Sequence, residues 1–313
     1  MHIKIGTRGS KLALWQAYYV QEKLENGGLS TEIVLIDTKG DQILDRSLSK
    51  IGSKGVFTQE LEDQLRDGRI DIAVHSAKDL QSELDNDLEL IAFTEREKAN
   101  DVLVSFKKES NLNNPTTQIS TLTIGTSSTR RVALLKHFYP HVKTVDMRGN
   151  LQTRLRKLEE GQCDALLLAY AGVHRMEYDS LITEHLSLSQ FTPAVGQGSV
   201  AIECCQNMEA AKKARVRALL NHPDTEICLL AERSFLRTLQ GGCSVPVFGL
   251  ATLHQSMLSM TGGVVSLDGQ QLLRMNATLG VDTLQTPITL GQNIALDLIK
   301  QGANKILENI RQS

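Results

Sequence analysis

Four short stretches of this chain bring together residue types that can do chemistry. Thr7-Arg8-Gly9-Ser10 sits between an alternating apolar segment and a helical one. Backbone N–H groups at a helix start favour an anion, and Arg8 can grip a carboxylate with two parallel hydrogen bonds. The same residues also read as a capped turn with a solvated arginine. Val74-His75-Ser76-Ala77-Lys78-Asp79 follows a second apolar strand. Lys78 and Asp79 side by side at a strand end suit acid–base work beside an anion. A surface ion pair, which stabilises little, is the competing reading.

The third stretch is Gly125-Thr126-Ser127-Ser128-Thr129-Arg130-Arg131, again strand, small polar turn and helix. From Thr126 to Leu158 the chain carries eight basic residues (Arg130, Arg131, Lys136, Lys143, Arg148, Arg154, Arg156, Lys157). One acidic residue, Asp146, stands among them, a local charge of +7 in a chain of net charge −2. A basic wall in an otherwise acidic protein points to a polyanionic ligand. Nucleic acid is one such ligand, but only 4% of the residues are aromatic, which leaves few rings for base stacking. Solvated helix faces would account for the same charges. The fourth stretch is Gln240-Gly241-Gly242-Cys243-Ser244-Val245-Pro246. Two glycines let backbone approach a ligand closely. A free cysteine is usually a core residue, and a helix C-terminus does not lower a thiol's pKa. That argues against a redox role and leaves covalent attachment open.

The elements that must position these residues follow from periodicity. Ile3 and Ile5 alternate as a strand, Ser10 is a good N-cap, and Ala13, Ala17, Val20 and Leu24 share one helical face. Strands at 32–37 and 70–74 enclose a helix at 58–66. The pattern recurs with strands at 121–125, 142–145 and 163–169 and helices at 128–138 and 151–158. Strands alternating with helices predict mainly parallel α/β sheets, with ligands beyond the carboxyl ends of the strands. Lys107 to Ser120 is polar and reads as a loop. Beyond a helix at 225–239 the style changes to strands, one pair joined by the hairpin signal Asp268-Gly269, and a closing helix from about Asn293. The expected fold is therefore two α/β domains plus a C-terminal α+β domain with a small antiparallel sheet. Its boundaries are 1–96 with 197–216, then 97–196, then 217–313.

Bulk properties agree. The 313 residues suffice for two or three cores, and 41% hydrophobic with 22% charged residues is ordinary globular composition. No apolar run approaches the roughly 20 residues that span a bilayer, and the first residues read as a strand, so a cytoplasmic protein is expected. Five cysteines without paired spacing argue against a disulfide framework, and scattered histidines make a metal site unexpected.

Taken together, these stretches resemble the porphobilinogen deaminase family. Glu232-Arg233-Ser234-Phe235-Leu236 leading into Gly241 to Pro246 is similar to that family's most distinctive signature. Thr7 to Ser10 with Leu12-Ala13, Val74 to Asp79, and Gly125 to Arg131 match further blocks. So do Arg148-Gly149-Asn150 with Thr153-Arg154-Leu155, and Pro193-Ala194-Val195-Gly196-Gln197-Gly198. The matches run in order from residue 3 to about 250. Gln81, Thr192 and the Gly52-Ser53-Lys54-Gly55 spelling depart from the commonest family pattern without removing a residue of chemical role.

The resemblance implies a three-domain fold whose first two domains are like periplasmic binding proteins. It implies a dipyrromethane cofactor held through a thioether to Cys243 and acting as a covalent primer. Four porphobilinogens add to it head to tail, each losing ammonia, and hydrolysis releases hydroxymethylbilane. Asp79 matches the catalytic carboxylate. Arg8, Ser10, Lys54, Lys78, Thr126, Ser127, Ser128, Arg130, Arg131, Arg148, Gly149, Asn150, Arg154, Arg175, Gln197 and Gly242 are the expected substrate- and cofactor-binding residues. Residues 42–57 resemble the family's mobile loop, a candidate lid. A monomer with no nucleic-acid or membrane partner and no metal is expected. The competing class is a two-lobed module that captures a carboxylate-rich solute without chemistry, which has no need of Gly-Gly-Cys.

Overall fold

The computed structural model describes residues 1–38, 58–110, 112, 122–241 and 245–311. The chain begins β1 (His2–Arg8), α1 (Lys11–Asn26), β2 (Ser30–Ile36), α2 (Gln59–Arg66), β3 (Ile72–Ser76), a single 3-10 turn at Ala77–Asp79, and β4 (Leu88–Phe93). It continues β5 (Asp101–Val104), β6 (Thr123–Gly125), α3 (Thr129–Phe138), β7 (Lys143–Val145), α4 (Leu151–Glu159), β8 (Ala165–Ala169), α5 (Tyr170–Arg175) and β9 (Ile182–His185). Then come β10 (Val200–Cys205), α6 (Ala210–Leu220), α7 (Pro223–Thr238), β11 (Val247–His254), β12 (Met257–Val265), β13 (Leu272–Gly280), α8 (Gln285–Lys300) and α9 (Ala303–Arg311). The described residues divide into two compact units, 1–97 with 198–227 and 98–197 with 228–313.

The first unit holds a five-stranded sheet of order β2-β1-β3-β10-β4. β1 pairs parallel with β2 and β3, whereas β10 runs antiparallel to β3 and β4. The expected mainly parallel sheet is thus mixed. The reason is topological: β10 returns to this sheet after a hundred-residue excursion, so no right-handed helical crossover dictates its direction. Ile3, Ile5, Val74 and Ile202 bury one face against Ala17, Val20 and Leu24 of α1 and Val216 of α6. The opposite face packs Ala73 against Leu61 and Leu65 of α2.

In the second unit the sheet order is β7-β6-β8-β5-β9, with β6 parallel to β7 and β8, and β5 antiparallel to β8 and β9. Both α/β sheets thus have a fourth strand reversed against the third. Leu155 and Leu158 of α4 pack on one face with Leu166 and Leu168. The other face packs Ala133 to Leu135 of α3 together with Phe248 and Val265 of the third sheet, so both sheets of this unit share a core.

That third sheet is β11-β12-β13, antiparallel throughout. The turn at Asp268-Gly269 joins β12 to β13 as expected, with Gly269 at φ 75°. α7 and α8 touch so closely that a Cβ on Gly291 would lie 2.1 Å from Ala231 O. Sequence and structure differ at the C-terminus: α8 starts at Gln285 rather than Asn293, and Gly302, at φ 102°, splits off α9. The strands β4, β5, β9 and β10 carry no clear period-two alternation, because β5 and most of β10 are buried on both faces.

Candidate active site and carboxylate sites

In the first unit, β1 and β3 are neighbours in parallel register, so their carboxyl ends lie side by side. That juxtaposition brings Arg8, the last residue of β1, and Ser10, just beyond it, to the turn after β3 that carries Asp79. A pocket of about 70 Å³ is lined by Arg8, Ser10, Gln16, Thr58, His75 and Asp79, among others. Ser10 caps α1, its hydroxyl accepting from Ala13 N at 3.3 Å. Gln16 is buried and donates from Nε2 to Ser76 Oγ at 2.8 Å, tying α1 to the end of β3. Ala77 N donates to Ser199 O at 3.0 Å, which fixes the turn bearing Lys78 and Asp79. Both of these side chains are half-buried, and Lys78 does not line the pocket.

Residue spacing gave no sign of what lies under this pocket. His75 Nε2 stands 3.0 Å from Glu203 Oε2, with both side chains buried. Glu62 of α2 is buried as well, and burial pushes its carboxyl up against a partial pull from Thr58.

In the second unit, β6 ends in the Thr126-Ser127-Ser128 turn. Thr126 is buried, and its Oγ1 accepts from Ser128 N at 3.3 Å. Ser127 donates its hydroxyl to Met147 O at 2.6 Å, and Ser128 caps α3. Arg130 and Arg131 do not extend towards solvent. Both are buried around the fully buried Asp101 at the start of β5. Arg130 Nη1 lies 2.8 Å from Asp101 Oδ2, and Arg131 Nη2 lies 2.7 Å from Oδ1. Arg130 also donates to Thr192 O at 3.0 Å and Arg131 to Leu167 O at 3.0 Å. Burial would push the Asp101 carboxyl up, but the two guanidinium groups outweigh it and hold it well below the usual carboxylate range. Gln197 joins the same network, its Nε2 donating to Asp101 Oδ1 at 2.9 Å and Ala99 O at 2.7 Å.

The expected basic wall is therefore divided, and a physical rule divides it: a buried cation needs a counterion. Lys136 Nζ donates to Leu267 O, Arg156 stands 3.7 Å from Glu160, and Lys157 Nζ donates to Arg148 O. Arg148 lies in the turn before α4, 2.9 Å from Asp146, and Arg154 lies in the first turns of α4. Gly149 takes φ 107°, Asn150 caps α4 by accepting from Thr153 N at 2.9 Å, and Arg154 Nε donates to Gly149 O at 2.8 Å. Arg175 ends α5 and is half-buried. Asp101, the hub of this unit, has a sequence signature only in retrospect: a carboxylate opening a strand whose other residues are all apolar.

Lys54, Gly242, Cys243 and the candidate lid lie outside the described residues. Four further cysteines are free thiols. Burial pushes Cys163 up to about 11 and Cys204 up to about 12, so neither is a ready nucleophile. Among the described residues no helix is long and apolar enough to cross a membrane, and no cluster of His, Cys, Asp and Glu could hold a metal ion.

Comparison with known proteins covers nearly all of the chain. Residues 3–213 match the family model "Porphobilinogen deaminase, dipyromethane cofactor binding domain", and residues 226–300 match "Porphobilinogen deaminase, C-terminal domain". The chain is 58% identical over 311 residues to the porphobilinogen deaminase of Cytophaga hutchinsonii, covering 99% of this chain and 97% of that one. It is 51% identical over 312 residues to that of Desulfosudis oleivorans, covering 100% and 99%. Among solved structures, the VFT2 domain of Bordetella pertussis BvgS aligns with 70% of this chain and 85% of its own, at 16% identity and a TM-score of 0.42.

Proposed function

The chain belongs to the porphobilinogen deaminase family, and from that premise we propose that Cys243 attaches its dipyrromethane primer and Asp79 is its catalytic carboxylate. The activity is that of a transferase in tetrapyrrole biosynthesis, joining porphobilinogens head to tail with loss of ammonia and release of hydroxymethylbilane. The domain spanning residues 3–213 is the one that binds dipyrromethane.

The observation that carries this reading is the shared pocket of Asp79, Arg8 and Ser10. Each ring of substrate and primer bears an acetate and a propionate. Guanidinium groups, hydroxyls and a helix N-terminus are the donors such arms require, so these residues fit the group. When bound, the primer supplies a pyrrole α-carbon as nucleophile. At each addition the C–N bond of the incoming aminomethyl group breaks and ammonia leaves with the electron pair. Joining the two carbons would release one proton. Asp79 stabilises the positive charge left by ammonia and receives that proton. Arg8 and Ser10 hold one acidic arm, and Lys78 adds positive charge near them. Ser128, Arg148, Arg154 and Arg175 hold further carboxylates. Arg130, Arg131 and Gln197 act through Asp101, which fixes the turns that carry the others. We read the three sheets as three domains and the protein as a cytoplasmic monomer; light scattering on a sizing column tests the last point.

The test is the intact mass of the purified protein. An excess over the 313-residue chain equal to two deaminated porphobilinogen units, lost in Cys243→Ser, is expected. Asp79→Ala should keep the added mass and lose turnover by roughly 10²–10⁴-fold. A bare mass that stays bare after incubation with porphobilinogen would instead indicate the two-lobed binding module.

A further inference from the structure

Asp146 is the one acidic residue in the basic stretch from Thr126 to Leu158. Asp146, Met147 and Arg148 join β7 to the glycine turn. Met147 is buried at 1% exposure, whereas Asp146 is exposed and Arg148 half-buried. Arg148 Nε then donates to Asp146 Oδ2 at 2.9 Å. The two ends of this contact differ: the Arg148 side chain is 18% exposed and that of Asp146 is 61% exposed. The cation is the more enclosed partner, and the carboxylate meets it from the solvent side.

The surroundings select a carboxylate at this position. Burial pushes the Asp146 carboxyl up, but Ser127, Arg148 and Arg154 more than offset it and keep it below the usual range. Ser127 has a single hydroxyl hydrogen, which Met147 O takes at 2.6 Å, so Arg148 is the main holder. The turn is rigid on the cationic side. Gly149 is fixed at φ 107°, Arg154 Nε is tied to Gly149 O, and Lys157 Nζ to Arg148 O. A carboxylate already lies where a ligand's acidic arm would meet Arg148.

We propose that Asp146 is an internal occupant of the carboxylate position on Arg148, which an incoming acidic arm must displace, and that it thereby sets affinity for the substrate. The proposal rests on the reading of Arg148 as a carboxylate-binding residue. Its physical sense is exchange: one ion pair replaces another, so binding is weaker than it would be with Asp146 removed. An enzyme that must let a growing polyanion move past its arginines gains by such exchange, because a grip that is too tight slows departure.

Steady-state kinetics with porphobilinogen and direct titration with succinate test this in the primer-bearing enzyme. Succinate carries two carboxylates, no amine to lose and no pyrrole to react. Asp146→Asn should lower KM for porphobilinogen about two- to fivefold, the range an exposed ion pair spans, and tighten succinate binding by a similar factor, with kcat unchanged or lower. Asp146→Glu should restore wild-type values. A raised KM in Asp146→Asn would make Asp146 a residue that merely aims Arg148, and unchanged values would make the pair idle; either result overturns the proposal. Arg148→Gln separates it from its premise. If that variant leaves both KM and succinate binding unaltered, Arg148 does not hold a carboxylate and the reading of the site fails. If it weakens both while Asp146→Asn tightens neither, only the proposal fails.

Discussion

At the scale of single residues, Asp101 organises more of this molecule than any motif suggests. It neutralises Arg130 and Arg131 and accepts from Gln197, all of them buried. Removing one member of a buried ionic cluster leaves uncompensated charge and costs about 3–5 kcal/mol. Asp101→Asn should therefore lower the unfolding midpoint sharply, as read by thermal or urea denaturation. The pH dependence has a definite sign. The folded carboxyl lies below its unfolded value, so its contribution is complete above the ordinary carboxylate range, about pH 4. It is lost as pH falls through that range towards the lowered folded value. Wild-type stability should decline over that interval more steeply than the stability of Asp101→Asn.

At the scale of elements, the turn between β7 and α4 shows how backbone geometry serves a side chain. Gly149 sits at φ 107°, and a Cβ there would lie 2.6 Å from Thr153 Cγ2. The strain of a left-handed non-glycine residue costs roughly 1–3 kcal/mol. Gly149→Ala should raise KM for porphobilinogen more than it lowers kcat, because it displaces Arg148 and the Asn150 cap while leaving Asp79 in its own unit. The same turn explains which parts of the site could be read in advance. Ser10, Ser128 and Asn150 are N-cap residue types, and each caps its helix. The role of Arg130 and Arg131 was not legible, since a helix-face arginine looks the same in sequence whether it meets solvent or a buried aspartate from another strand.

At the scale of the whole molecule, the chain leaves its first unit after Glu97 and re-enters at Gly198. Glu97 N donates to Gly198 O at 3.1 Å, so exit and re-entry are adjacent. β10 lies between β3 and β4, and residues 1–97 alone would leave both of those strands with open edges. Residues 1–97 should show no cooperative thermal transition by circular dichroism. Joining them to 198–227 through a short Gly-Ser link should restore one. The second unit offers no such cut at residue 197, because Phe248 and Val265 belong to the same core as Leu103 and Ile124.

The sequence by itself determined the alternation of strands and helices, the Ser10 cap, the Asp268-Gly269 hairpin and the family, because these depend on local spacing and on motifs short enough to read in line. Roles for Lys54, Gly242 and Cys243 rest on that resemblance alone. Only the tertiary structure decided which charges meet. Parallel pairing of β1 with β3 put Arg8 and Asp79 in one pocket, and the start of β5 put Asp101 under two arginines of α3. The physical reason is that a charge's role is set by its burial and its partner, and both come from strands distant in sequence that pair only when the sheet closes.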